Sequence, residues 1–163
     1  MTSRTQALIP IIAAALIIGV AGIFSIPSDS KLESVEFPRG TIMVDDIVLE
    51  VQIADTKPRW IRGLMFQDQL PYDQGMIFVY NEPGVYSLWM LNMQFSLDMI
   101  WFDENGSIVH IEQDISPCKT PTEIMACQSI VPSGYSLYIL EVTAGFIDEF
   151  NITKDSKLRI ISI

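Results

Sequence analysis

The sequence predicts a mainly β domain of α+β class, compact and barrel- or sandwich-like, with one or two short helices and one transmembrane helix ahead of it. Three observations predict this. Short runs rich in Val, Ile, Tyr, Phe and Trp recur at even spacing from residue 41 to the end, each bounded by Gly, Pro, Asn or Asp. Helical periodicity is confined to two short stretches. A 20-residue run without a charge, Ala7 to Ile26, precedes all of them. At about 1.5 Å per helical residue such a run reaches about 30 Å, the thickness of a bilayer core.

The chain divides into an N-terminal transmembrane anchor (1–26), a polar linker (27–39) and a β-rich domain (40–163). Pro10 lies near the start of the apolar run, where a helix tolerates it. Arg4 precedes the run, and Asp29, Lys31, Glu33 and Glu36 follow it. The positive-inside rule then puts the N-terminus in the cytoplasm and the rest of the chain outside a cell membrane crossed once. A cleaved signal peptide is the alternative. Its apolar core is usually shorter and its exit more A-x-A-like than Gly22-Ile23-Phe24-Ser25-Ile26.

Within the domain, Thr41–Val44 and Ile47–Ala54 read as strands joined at Asp45-Asp46 as a hairpin. Thr56 reads as an N-cap with Pro58 in the first turn of a short helix through Met65. Helical spacing gives Trp60, Ile61, Leu64 and Met65 one face and puts Arg59 and Arg62 on the other. Strands follow at Met76–Tyr80, Tyr86–Met90, Asp98–Phe102, Ile108–Glu112 and Tyr135–Val142, with a turn at Asn81–Gly84. Ala144–Phe150 reads as one or two helical turns and Leu158–Ile163 as a closing strand. Asn105-Gly106 is a strong hairpin signal, because both residues accept positive φ.

Composition excludes several classes. The net charge of −10, from 10 basic and 20 acidic residues, argues against nucleic acid as a partner. Only Arg4 precedes the anchor, so residues 27–163 carry nine basic and 20 acidic side chains, a net of −11. One His cannot supply a blue-copper or catalytic zinc site. Outside the membrane, the even pair Cys118 and Cys127 reads as a disulfide pinning a loop. Asn105 and Asn151 head glycosylation sequons.

The remaining candidates for chemistry are few. His110 reads as a strand residue, since no G-x-S-x-G elbow accompanies it. Asp103 to Ser107 matches a calcium loop only in part and reads as a turn. Met90 and Met93 have the spacing of a weak thioether pair for Cu(I), convergent only if Leu91 to Gln94 turns. Asp98 and Glu141 sit among apolar residues on predicted strands, where a carboxylate needs a partner. Arg59 and Arg62 are available, and an Arg62 pair with Asp98 or Glu141 is expected to border a binding groove.

Several segments resemble one family. Arg62-Gly63-Leu64-Met65-Phe66, Leu70-Pro71 and Gly75-Met76-Ile77-Phe78-Val79-Tyr80 are similar to the G-L-M … L-P … G-M-L-F-x-F signature of the domain of unknown function 192 family. Trp89-Met90-Leu91-Asn92-Met93 with Leu97-Asp98-Met99-Ile100-Trp101 resembles its W-M-K-N-T … L-D-I-I-F segment, and Leu140-Glu141-Val142 with Ala144-Gly145 its close. Leu91, Met93 and Gln67 stand where the family commonly has Lys, Thr and Arg. The resemblance implies a small, often exported β-rich domain and no established activity or cofactor. The expected function is a membrane-anchored extracytoplasmic module that binds a small ligand, a glycan or an envelope protein through Arg59, Arg62, Trp89, Asn92, Asp98 and Glu141. The alternatives are an envelope enzyme using Asp98 or Glu141, or a copper-handling Met protein.

Overall fold

The computed structural model describes residues 34–163. The expected anchor, Ala7 to Ile26, and the first part of the linker lie outside the described residues. Among the described residues no helix is long and apolar enough to cross a membrane.

Seven strands form one sheet: β1 (Arg39–Val44), β2 (Ile47–Ala54), β3 (Gln74–Gly84), β4 (Leu97–Phe102), β5 (Ile108–Ile115), β6 (Ser136–Thr143) and β7 (Leu158–Ser162). Their spatial order is β5-β4-β6-β3-β2-β1-β7. The mainly β expectation holds, but the sheet does not close into a barrel. Its two edge strands meet only near one corner, through an isolated bridge between Ser107 and Lys157. The short helices number three rather than one or two: α1 (Lys57–Arg62), α2 (Pro121–Met125) and α3 (Phe146–Glu149).

Local chemistry explains most of the elements. Asp45 takes φ 51° in the two-residue turn that joins β1 and β2 antiparallel. The β2–α1–β3 segment then makes the parallel pair of the sheet, with Val51 opposite Gly75. Residues β3 and β4 do not touch as strands; β6 lies between them, pairing Met76 with Glu141 and Met99 with Glu141. The Asn105-Gly106 turn forms as expected, with the Asp103 carboxylate accepting N–H bonds from Asn105 and Ser107 at 2.8 Å.

Side-chain alternation divides the core into two layers. Ile42, Leu49, Val51, Ile77, Ile100, Leu140 and Val142 form one layer with Phe146 and Ile147 of α3. Met76, Phe78, Met99, Trp101 and Ile139 form the other with Leu64, Met65, Leu88, Met90 and Met93. Strand β4 is buried at every position because both layers claim it.

Three local expectations are corrected. The predicted strand Tyr86–Met90 is instead an irregular segment with one bridge, Leu88 to Ile130. Both edges of β4 are already taken by β5 and β6, so the segment finds no ladder. Trp101 Nε1 holds it by donating to the Tyr86 carbonyl at 2.8 Å. The expected turn at Asn81–Gly84 is a continuation of β3 to Gly84. Finally, α1 stops at Arg62 because Gly63 takes φ 47°. The helical face expected through Met65 is therefore broken: Ile61 is exposed, and Arg62 is buried rather than solvent-facing.

Candidate functional site

The second core layer is not filled completely. A cavity of about 170 Å³ opens between α1, the 87–93 segment, β3 and β6. Trp60, Phe78, Tyr80 and Trp89 give it aromatic walls, Leu64, Met65, Leu88 and Met93 add apolar surface, and Glu141 reaches it from β6. Trp60 is fixed by indole N–H bonds to the carbonyls of Ala54 (2.8 Å) and Val79 (3.2 Å). Tyr80 lies 4.9 Å from Trp60 and stacks on Tyr86 at 3.5 Å, planes 3° apart. Trp89 is 45% exposed, an unusual position for a Trp beside so much apolar surface.

Gly63 shapes the floor. Its positive φ ends α1, and a Cβ there would lie 3.4 Å from the Phe78 ring and 3.8 Å from Glu141 Oε2.

Glu141 is 3% exposed and its Oε2 has no hydrogen-bond partner. Its strand neighbours on either side are Met76 and Met99, which offer no donor. Burial pushes its carboxyl up to about 8. Tyr80 is shifted in the same direction, first by burial and then by the charge of Glu141 and by Tyr86, so its phenol keeps its proton.

Asp98 behaves differently. The register sets Asp98 opposite Val142 and Met99 opposite Glu141, so the two carboxylates point to opposite faces of the sheet. Asp98 is 1% exposed, and its carboxylate accepts N–H bonds from Asp114 (2.9 Å), Gly145 (3.1 Å) and Ile147 (2.9 Å). It ties β5 and the start of α3 to β4. A shared substrate for Asp98 and Glu141 is excluded by this geometry, and so is the expected groove containing both.

The predicted site residues separate accordingly. Arg62, Trp89 and Glu141 line the cavity. Arg59 lies away from it, pairing with Asp55 and donating to the Glu36 carbonyl. Asn92 takes φ 57° and its carbonyl accepts the Phe66 N–H, so its role in the fold is a turn. Among the described residues no ion pair joins Arg62 to Asp98 or Glu141, the partners expected for it. Among the described residues the ion pairs are Arg59–Asp55 and His110–Glu112. The Asp98 carboxylate is met by backbone N–H groups instead, and the Arg62 guanidinium sits 5.1 Å from the centroid of the Phe66 ring.

Other candidates lie elsewhere. Leu91 to Met93 does turn, with the Met93 N–H on the Met90 carbonyl, but both thioethers are buried in the core. His110 contacts Glu112 Oε1 through Nε2 at 2.9 Å and Ser133 Oγ through Nδ1 at 3.3 Å. The Ser133 hydroxyl donates to the Val109 carbonyl, and this chain of groups is outside the cavity. Among the described residues no cluster of His, Cys, Asp and Glu could hold a metal. Asn105 and Asn151 are both exposed.

Cys118 and Cys127 form the expected disulfide, with Cα atoms 6.0 Å apart. The loop it closes contains α2, which carries a capping box: the Thr120 side chain accepts the Glu123 N–H, and the Glu123 carboxylate accepts the Thr120 N–H. Cys118 also donates its N–H to the Met90 carbonyl, so the bridged loop braces the segment that bears Trp89 and Met93.

Sequence reasoning missed Trp60 and Tyr80 as cavity walls. It took Trp60 as a packing residue and Tyr80 as a strand residue. The signal was present in the family-like segments: Gly63-Leu64-Met65, Phe78, Trp89 and Glu141 come from four separate stretches and converge on this one cavity.

Two solved structures share the fold. One is a protein of Sinorhizobium meliloti 1021, proposed as a transcription regulator: TM-score 0.69, 23% identity, covering 78% of this chain and 97% of that one. The other is a protein of unknown function from Novosphingobium aromaticivorans DSM 12444: TM-score 0.67, 22% identity, covering 78% and 95%. At these identities the likeness speaks for fold alone. No curated protein matches the chain. The model of one family, DUF192, described as uncharacterized ACR, matches residues 40–160, which takes in nearly all of the sheet, the cavity and the motifs from Gly63 to Gly145 set out above; the chain belongs to that family.

Proposed function

We propose that the domain is a non-enzymatic binding module that takes a small molecule of single-ring size in the aromatic cavity, held outside the cell membrane by the Ala7–Ile26 segment. The observation that carries this reading is Glu141 Oε2. It is a buried acceptor with no hydrogen-bond partner, on a residue that lines the cavity. Unpaired buried polar atoms are few in folded proteins, because each costs about 1–3 kcal/mol. A carboxyl retained there at such a cost has a use that the fold itself does not supply. The size fits a small ligand, since a cavity of about 150 Å³ holds a benzene ring.

The extracytoplasmic placement rests on the charge asymmetry around residues 7–26 and on the Cys118–Cys127 bridge, which belongs to oxidising compartments. Two experiments test the proposal. Saturation-transfer NMR of the full chain in detergent with a library of single-ring compounds should give ligands that Trp89→Ala weakens at least about tenfold. Ligands indifferent to Trp89→Ala, or none, would overturn the binding reading. Protease added to intact cells should degrade the domain; protection until lysis would overturn the topology.

A further inference from the structure

We infer that the ligand of this cavity is a small organic cation, a primary or substituted ammonium on a single apolar ring, which pairs with Glu141 and displaces its proton. The inference rests on the binding reading above and names the chemical class the cavity takes.

Three features point to a cation. The walls are aromatic faces: Trp60, Phe78, Tyr80 and Trp89 surround the volume, and ring faces attract ammonium groups. The floor is Glu141, 3% exposed, whose Oε2 has no hydrogen-bond partner, with Met76 and Met99 beside it. The whole domain is acidic, net −11 over residues 27–163, which raises the local concentration of cations.

The groups that face Glu141 bear on its titration. From α1 come Arg62 and Lys57, which line the cavity; from β3 comes Tyr80; β4 presents Met99, which does not titrate. Neither α1 cation lies within ion-pair distance of Glu141, and burial holds its carboxyl at about 8. In the empty domain at neutral pH the carboxyl is therefore mostly protonated. An entering ammonium favours the carboxylate. The proton leaves to solvent and one N–H···O⁻ pair forms in its place, so charge and atoms balance.

Isothermal titration calorimetry on the full chain in detergent tests this with three single-ring probes: benzylamine hydrochloride, benzyl alcohol and sodium benzoate. Benzylamine is expected to bind at least about tenfold tighter than either other probe at pH 8. Its affinity should rise at least about tenfold from pH 6 to pH 8, with close to one proton released at pH 6, measured in two buffers of different ionisation enthalpy. Glu141→Gln should abolish both the preference and the pH dependence. Benzyl alcohol or benzoate binding as tightly as benzylamine would overturn the cation while leaving the cavity a binding site. Preferential but pH-independent benzylamine binding would overturn Glu141 as its partner. Silence from all three probes would overturn both the cation and the single-ring cavity. Should Glu141→Gln fail to fold, the wild-type pH series decides the matter alone.

Discussion

Asp98 and Glu141 are one residue out of register on adjacent strands, both almost wholly buried, and they could hardly be treated more differently. Asp98 has three backbone N–H groups aimed at it and closes the end of the sheet. Glu141 faces two methionines and a hollow. The contrast separates two reasons for burying a carboxylate. One is structural: the charge satisfies donors that strand and helix ends would otherwise leave open. The other leaves an oxygen with no donor, at a cost in stability that the fold itself does not offset.

The comparison breaks most clearly with pH. Glu141 titrates near 4.5 when unfolded and about 8 when folded, so the folded state holds the extra proton between those values. Stability from this group is full below pH 4.5, falls as pH rises to about 8, and is level above it. Glu141→Gln removes that slope. The variant should match the wild type near pH 4 and exceed it at pH 9 by on the order of 4 kcal/mol, read from urea melts. A wild type as stable as the variant at pH 9 would place a partner on Glu141.

Asp98→Asn should act in the opposite sense. The amide keeps one acceptor and turns a donor toward N–H groups, which should cost about 2–4 kcal/mol at pH 7 by urea melts. A neutral result would mean that water can replace the carboxylate at the start of α3.

These two outcomes show what could be read in advance. The strands were legible because apolar residues recur with turn residues between them, and the disulfide because two cysteines leave one pairing. That each buried carboxylate needs an account was also legible. Which account was not, because it depends on a one-residue register: Met99, not Asp98, lies opposite Glu141. The expected Arg62 pair with Asp98 or Glu141 is absent because Arg62, the last residue of α1, is buried with its guanidinium over the Phe66 ring. The strand expected at Tyr86–Met90 failed for a non-local reason, as both edges of β4 are taken by β5 and β6. Helix α2 was missed although Thr120-Pro121-Thr122-Glu123 spells out its capping box.

The disulfide sharpens the comparison between the faces. Its reduction should cost roughly 2–3 kcal/mol on the chain-entropy account of so short a loop. The loosening should be one-sided. Hydrogen exchange should quicken across residues 86–95 and 118–130, which cover Glu141, and stay slow around Gly145 and Ile147, which hold Asp98. Equal quickening on both faces would show that the bridge braces the whole sheet.

The smallest effect is expected at Trp89. With 45% of its surface already in water, Trp89→Ala should change stability by less than about 0.5 kcal/mol. A larger loss in urea melts would make Trp89 a structural residue and weaken its claim as a wall kept open for a ligand.

The place of β6 between β3 and β4 has a consequence for synthesis and export. When residues up to 115 have emerged, β1, β2 and β3 can pair on one side and β4 with β5 on the other, yet nothing joins the two pieces. The joining strand is Ser136–Thr143, and with it comes Glu141. Two half-sheets therefore wait, each with an unpaired edge, while about twenty more residues leave the ribosome or the translocon. The Asn105-Gly106 tip waits longer still, because its bridge partner is Lys157. Folding of this domain is in effect posted to its C-terminal third, and until that third arrives the open edges of β3 and β4 are where a passing chaperone, or another unfinished copy, would attach.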